Sequence, residues 1–348
     1  MNITGKITGI KYKPLLCNKL TKYQFSEIEK ALRSSAFILK NDSDSEFAIS
    51  KWVSPKRTRS YPYERVYNTL GHSGKKITII PFVKDEGSDG DRDFLQWDTI
   101  SLMSLLDVNV IIAYYDKAEK NERYDNKITS QEFDIDYIKE KIEEISSYHS
   151  SALHWNMEQI DKMGEIGMKA FNEYQKISKD LNVKMHRMQT IKDRIKLLKE
   201  NKNKFMEESR SRALSAQQRE RFVKHEGESL AENKKATLTI TNYLGGNYLF
   251  TVDEAWIRDS KVYLVEGKNT RRGVLPSKSD IKDALLSMVL LTNLEEVEVD
   301  GVPYNHKSVI KLTSGVGFDE EKLSVNQKQL FDTLKKEAEQ NNFELEVE

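Results

Sequence analysis

Hydrophobic and polar positions in the first third of the chain predict a strand–helix–strand order. Residues 76–83 and 108–115 are nearly continuous apolar runs, which is typical of strands buried on both faces. Between them, residues 94–106 carry apolar side chains at helical spacing. Near the N-terminus the pattern predicts a short strand region and then a helix around residues 24–40. Together these elements predict an α/β arrangement.

The middle of the chain, residues 131–230, predicts mostly helix and contains no proline. Apolar residues recur here at alternating three- and four-residue steps, as in the seam of a coiled coil, and Lys202 occupies one of these positions. The apolar members are Met188, Ile191, Ile195, Leu198 and Phe205. The seam is short, so an antiparallel helical hairpin fits it at least as well as a long coiled coil.

From about residue 217 the pattern changes again. A helix to about residue 232 is followed by three strands, which the turns Gly245-Gly246-Asn247 and Arg258-Asp259-Ser260 separate. The predicted strands are 236–244, 248–255 and 261–268. A helix opened by Ser279 as N-cap then runs to Leu291. The chain closes with a strand over 308–313, a helix over 327–340 and a strand over 343–347.

These patterns divide the 348 residues into three predicted segments. They are an N-terminal α/β region (1–130), a helical segment that could serve as a dimer interface or as a clamp (131–216) and a core domain (217–348). The expected fold class is α/β with a mixed sheet.

Composition narrows the function classes. No apolar run approaches the ~20 residues of a membrane span, and the first residues lack a secretory apolar core. The single cysteine, Cys17, fits a reducing compartment, so we expect a cytoplasmic protein. The net charge is zero, but residues 181–235 hold 15 Lys and Arg against 8 Asp and Glu. Such local excess favours contact with phosphate at one part of the surface.

Polar residues at the ends of two predicted strands carry the candidate chemistry. Glu266 and Lys268 lie two apart on one strand and therefore share a face, and the preceding strand can bring Asp253 beside them. Carboxylates hold hard cations through oxygen, and a lysine can orient water or offset transition-state charge. Glu254 could replace Asp253 with a one-residue change of register.

The order helix, three strands, helix, strand, with Asp253 on the second strand and Glu266-x-Lys268 on the third, resembles the PD-(D/E)xK nuclease superfamily. The resemblance covers about residues 217–315. It implies an αβββαβ core, with Asp253, Glu266 and the Gly267 carbonyl as Mg²⁺ ligands and Lys268 positioning the attacking water. An acid on the first core helix often joins the set, and Glu228 is preferred there over Glu226.

Basic residues near these strands are candidate DNA contacts. Arg271 and Arg272 follow the Glu-x-Lys strand, where they can hold a phosphate. A stretch that interleaves basic and aromatic residues contributes Lys56, Arg57 and Arg59. A second acidic group, around Lys84, Asp85, Glu86 and residues 89–98, is a rival centre, although its spacing does not match an EF-hand loop.

A stand-alone nuclease core with large added segments and no Walker A sequence is most similar to a type II restriction endonuclease. This resemblance implies Mg²⁺-dependent cleavage of double-stranded DNA at a short sequence, a two-fold homodimer and a cognate DNA methyltransferase as genetic partner. Two alternatives stay open: a repair or phage-defence nuclease that acts on DNA structure, and a non-catalytic DNA-binding or assembly protein.

Overall fold

The computed structural model describes residues 1–41, 44–56, 62–200, 207, 211, 215, 234–242 and 247–348. The chain forms two compact units: one combines Met1–Lys19 with Arg210–Glu348, and the other is Leu20–Ser209. We call them the split unit and the central unit. Both contain helices and sheets, so the mixed α/β fold class is confirmed.

The strands are numbered along the chain as follows: β1 Asn2–Ile7, β2 Lys22–Gln24, β3 Ala36–Lys40, β4 Glu46–Lys51, β5 Lys76–Pro81, β6 Val83–Asp85, β7 Arg92–Phe94, β8 Val108–Ala113, β9 Tyr115–Lys120, β10 Ile128–Phe133, β11 Lys234–Asn242, β12 Asn247–Arg258, β13 Lys261–Thr270, β14 Glu295–Val299, β15 Val302–Pro303, β16 Asn305–Ser314 and β17 Glu344–Val347. The α-helices are α1 Ile28–Ala31, α2 Pro62–Leu70, α3 Trp97–Leu105, α4 Ile135–Ser147, α5 Ala152–Asp161, α6 Met163–Leu181, α7 Gln189–Glu200, α8 Lys278–Leu291 and α9 Val325–Asn341. Short 3₁₀ turns occupy Phe25–Glu27 and Glu320–Lys322.

The split unit is built on one mixed sheet with strand order β15-β14-β1-β11-β12-β13-β16-β17. The strands β11, β12 and β13 form the predicted antiparallel meander, and β13 then pairs in parallel with β16. A parallel pair needs a crossover, and the buried helix α8 lies in that connection and packs on both strands. The predicted strand–strand–strand–helix–strand order is therefore present, with the short strands β14 and β15 inserted before β16. The helix predicted before the three strands, to about residue 232, lies outside the described residues.

The hairpin between β12 and β13 closes through two left-handed residues. Asp259 and Ser260 have φ values of 49° and 57°, and Arg258 pairs with Lys261. Positive φ at both central positions is what a two-residue type I′ turn requires, and that turn matches the twist of the strands. It fixes the register of the strands that hold Asp253 and Glu266.

The N-terminal residues belong to the split unit and not to an N-terminal domain. Strand β1 pairs in parallel with β11, so Asn2 lies opposite Thr237. The segment after β1 is held by the fully buried Glu337 of α9, whose carboxylate accepts the Leu15 and Leu16 N–H groups and the Tyr12 hydroxyl. The contacts of Glu337 join residues more than 300 positions apart in the sequence, so a local sequence pattern does not predict them.

The central unit is built on a five-stranded sheet with order β2-β3-β4-β5-β8. The predicted buried strands are confirmed as β5 and β8, and α3 lies between them in the chain as expected. Helices α3, α4 and α5 pack against β8. The segment predicted as a separate helical region thus contributes to this unit.

The seam in the helical region is an antiparallel hairpin of α6 and α7. Ile191 and Ile195 of α7 form a buried cluster with Phe171 of α6, with Met188 at its edge. A Cβ on Gly167 of α6 would lie 2.7 Å from Ile195, so this glycine allows the helices to approach closely. Phe205 lies outside the described residues.

One prediction near the N-terminus is wrong. The helix predicted over residues 24–40 ends at Ala31, because residues 36–40 pair with β4 and form β3 instead. Strand pairing outweighed local helical spacing. The predicted division at 130/131 and 216/217 stays a prediction. Within the described ranges, no helix is long and apolar enough to cross a membrane.

Candidate active site

Strand β13 places Glu266 and Lys268 side by side. The alternation of the strand turns both side chains to the same face, as predicted. The Lys268 Nζ lies 3.0 Å from Glu266 Oε1, and Glu266 is only 8% exposed. A carboxylate this buried needs a compensating partner, and Lys268 supplies one.

Asp253 joins the pair through a break in the regular ladder. The pairing of β12 with β13 ends at Glu254 and Val265, and beyond it the Gly267 N–H donates to Asp253 Oδ2 at 2.9 Å. On the other side, Ala236 pairs with Val252 but Lys234 pairs with Ala255, so β12 holds one extra residue there. Such bulges re-aim side chains and are common near active sites.

The structure separates Asp253 from its neighbour Glu254. Glu254 is the cross-strand partner of Val265, and the residue beside Gly267 on β16 is Lys311. Glu254 acts on the pKa of Lys311, whereas Asp253 acts on the pKa values of Glu266 and Lys268. Glu254 therefore lies on the opposite face of the sheet, and Asp253 is the acid that faces Glu266.

A third acid, Asp283, belongs to the site and was not among the predicted residues. It lies on α8, and its Oδ2 is 3.2 Å from the Lys268 Nζ. In the sequence, Asp283 interrupts the largely apolar run from Ile281 to Leu291, and that interruption was the signal that could have found it. The helix is capped by Ser277, whose hydroxyl accepts the Asp280 N–H, and not by the predicted Ser279.

Three carboxylates therefore share one lysine, and the pKa values reflect this. Burial raises the pKa of Glu266 to about 7; Lys268 opposes the shift, and Asp253 and Asp283 add to it. Burial acts to lower the pKa of Lys268, but the carboxylates of Glu266, Asp283 and Asp253 outweigh it and raise that pKa above its usual value. Within the described residues, Glu266 has one cationic partner, and a bound cation would further stabilise its ionised form.

The donor chemistry fits Mg²⁺. Asp253 and Glu266 offer two carboxylates, and the Gly267 N–H donates to Asp253 Oδ2. Among the described residues, no group of three or more His, Cys, Asp or Glu side chains could hold a metal ion. Mg²⁺ usually binds proteins through one or two carboxylates and retains several waters, so Asp253 and Glu266 could serve as its protein ligands.

The other predicted residues are placed as follows. Arg271 and Arg272 are exposed in the loop directly after β13. This loop is held against the end of β16, because the Ser314 hydroxyl donates to the Gly273 carbonyl at 2.8 Å. Lys56 is exposed in the central unit. Glu228, Arg57 and Arg59 lie outside the described residues.

The rival acidic group lies in the central unit, where Asp85 and Glu86 contact basic side chains. The fully buried Asp85 accepts the Gly87 N–H at 2.9 Å and contacts His186 Nδ1 at 2.8 Å. Glu86 lies 3.0 Å from Lys84 and 3.5 Å from Lys127. Glu86 thus contacts two lysines, whereas Glu266 on β13 contacts one among the described residues.

Comparison of the chain with protein-family models, with curated protein sequences and with solved structures yields no match.

Proposed function

We propose that the chain is a Mg²⁺-dependent endonuclease that hydrolyses phosphodiester bonds of double-stranded DNA, of the type II restriction class. One observation carries the proposal: Asp253 on β12 and Glu266 and Lys268 on the adjacent β13 converge on one face of the sheet, two carboxylates with one ammonium. Perturbed pKa values of this kind cluster at functional sites.

Each residue has a distinct role in this reaction. Asp253, Glu266 and the Gly267 carbonyl would hold Mg²⁺, which supplies Lewis-acid polarisation of the scissile phosphate and acidifies a water molecule. Lys268 donates hydrogen bonds to the attacking water and offsets the charge that develops on the phosphate. Arg271 and Arg272, in the loop that continues β13, hold a flanking phosphate.

The restriction class adds partners to the proposal. Cutting both strands of a palindromic site favours two copies of the chain related by a two-fold axis, so we propose a homodimer. A cognate DNA methyltransferase would protect the host sequence. The exposed Lys56 of the central unit is a further candidate contact to DNA phosphate.

A plasmid digest with Mg²⁺ and with EDTA tests the proposal. Discrete bands that need Mg²⁺ are expected, and Asp253→Asn or Lys268→Met should abolish them. Glu254→Gln and Lys311→Met are matched controls on the opposite face of the same strands, and both should cut normally. A smear would indicate a nuclease that acts on DNA structure and not at a specific sequence. Binding without cleavage, unaffected by Asp253→Asn, would indicate a non-catalytic DNA-binding protein and overturn the proposal.

A further inference from the structure

Lys268 is held at two points that belong to different elements of the split unit. Its ammonium lies 3.0 Å from Glu266 on β13 and 3.2 Å from Asp283 on α8. A lysine side chain has four flexible methylene groups and three rotatable N–H donors, so one contact does not fix where its charge lies. The second contact comes from a helix and sets the direction in which the ammonium points.

The helix that carries Asp283 is a firm support. The Ser277 hydroxyl caps its first turn at 3.2 Å from the Asp280 nitrogen. On either side of Asp283, Lys282 and Ala284 are fully buried, as is Leu285 after them. The packing of α8 on β13 and β16 therefore fixes the Asp283 carboxylate relative to the strand that holds Glu266.

The arrangement has a consequence for Glu266. Among the described residues, the ion-pair partners of the Lys268 ammonium are Glu266 and Asp283. Without Asp283, the ammonium would pair with the buried Glu266 carboxylate and would compete there with any other cation. Asp283 draws the ammonium toward the helix and shares its charge. Ligand residues at metal sites commonly depend on such neighbours for orientation and affinity.

We propose that Asp283 is a positioning residue, which holds the Lys268 ammonium away from full pairing with Glu266 so that Glu266 can bind a divalent cation. The inference rests on the proposed function, because it assigns Asp283 a task in the same site. Asp283 acts through Lys268 and not by direct contact with DNA. Its effect must therefore depend on the lysine being present.

A double-mutant cycle on Mg²⁺ affinity tests this. Mg²⁺ is titrated calorimetrically into the wild type, Asp283→Asn, Lys268→Met and the double variant. Asp283→Asn should weaken Mg²⁺ binding about tenfold in the wild-type background. This is the lower end of the loss in affinity, about 10- to 100-fold, that follows removal of a residue that orients a metal ligand. In the Lys268→Met background the same change should have little effect. Asp280→Asn, one turn earlier on the same helix, removes the same charge and should leave affinity unchanged.

Cleavage kinetics give a second readout. At saturating Mg²⁺, Asp283→Asn should lower kcat for plasmid cleavage about tenfold and leave KM for DNA unchanged. The reason is that the substitution misplaces Lys268, while Asp283 itself makes no contact with DNA. Asp283→Glu keeps the charge and should recover part of the rate. Thermal unfolding of each variant shows that the fold is retained.

The outcomes separate the two proposals. Equal losses of Mg²⁺ affinity in the wild-type and Lys268→Met backgrounds would overturn the role of Asp283 and leave the nuclease proposal standing. A wild type that binds Mg²⁺ but leaves every DNA substrate intact would overturn the nuclease proposal, with the affinity cycle still readable. A wild type that binds no Mg²⁺ would overturn both.

Discussion

The two acidic groups of this protein are made of similar residues and differ in charge balance. In the central unit, Asp85 and Glu86 are surrounded by Lys84, Lys127, Arg92 and His186. In the split unit, the Lys268 ammonium contacts Glu266 and Asp283, and Asp253 acts on its pKa. Among the described residues, Glu86 has at least two lysine partners, whereas Glu266 has one.

The pKa values of two glutamates express this difference. Burial acts to raise the pKa of Glu86, but Lys84, the Asp91 N–H and Lys127 bring it below its usual value. Burial raises the pKa of Glu266 to about 7, and the opposing effect of Lys268 does not compensate. A group that satisfies its own charges stabilises a fold, whereas one that does not is suited to binding a cation from outside.

The sharpest way to break this comparison is to neutralise each glutamate without changing its shape. Glu266→Gln should lower Mg²⁺-dependent cleavage about 100-fold or more, since it removes a ligand and losing only an outer partner costs 10–100-fold. Glu86→Gln should leave the cleavage rate unchanged. The measurement is initial cleavage rate at saturating Mg²⁺, and equal losses in both variants would contradict the distinction.

The stability of the fold should depend more on the acidic group of the central unit than on that of the split unit. Asp85→Asn leaves His186 and Arg92 without their buried carboxylate partner, and we expect it to lower the free energy of unfolding by about 3 kcal/mol. Asp253→Asn removes a charge from a site with excess negative charge and should cost little stability. Urea unfolding monitored by circular dichroism compares the two, and a larger loss for Asp253→Asn would reverse our assignment.

The raised pKa of Glu266 predicts two effects of pH. Since the cation needs the ionised form, Mg²⁺ affinity should rise about tenfold per pH unit below pH 7 and level off above it. Without metal, the folded state holds the Glu266 proton more tightly than the unfolded state, whose pKa is near 4.5. Protonated Glu266 therefore adds up to about 3 kcal/mol to the free energy of unfolding. This contribution is fully present below pH 4.5 and is lost as the pH rises through 7.

Glu266→Gln provides the control for both effects. The glutamine carries no titrating proton, so the difference in unfolding free energy between wild type and variant should fall as pH rises from 4.5 to 8 in EDTA. A difference that stays constant across this range would show that the pKa of Glu266 is not raised.

The smallest expected effects concern DNA contacts in the two units. Arg271→Ala and Arg272→Ala should each weaken DNA binding several-fold and lower the slope of log affinity against log salt by about one, as for one lost phosphate contact. Lys56→Ala tests the central unit in the same way. Binding by fluorescence anisotropy at several salt concentrations measures all three, and an unchanged slope would remove that residue from the DNA interface.

Local sequence determined much of the split unit. The alternation over residues 261–268 places Glu266 and Lys268 on one face, because side chains in a strand repeat every two residues. Asp259 and Ser260 mark the hairpin, because polar residues tolerate the left-handed conformation that a tight turn needs. The order of three strands, a helix and a strand likewise follows from local periodicity.

Only the tertiary structure decided the rest of the site. The extra residue in β12 settles Asp253 over Glu254, because strand pairing and not periodicity fixes the register there. Asp283 reaches Lys268 because packing of the apolar face of α8 sets the rotation of that helix. The pairing of β1 with β11 joins residues more than 200 positions apart. Spacing along the chain reports which residues share an element, but the contacts between elements depend on long-range packing.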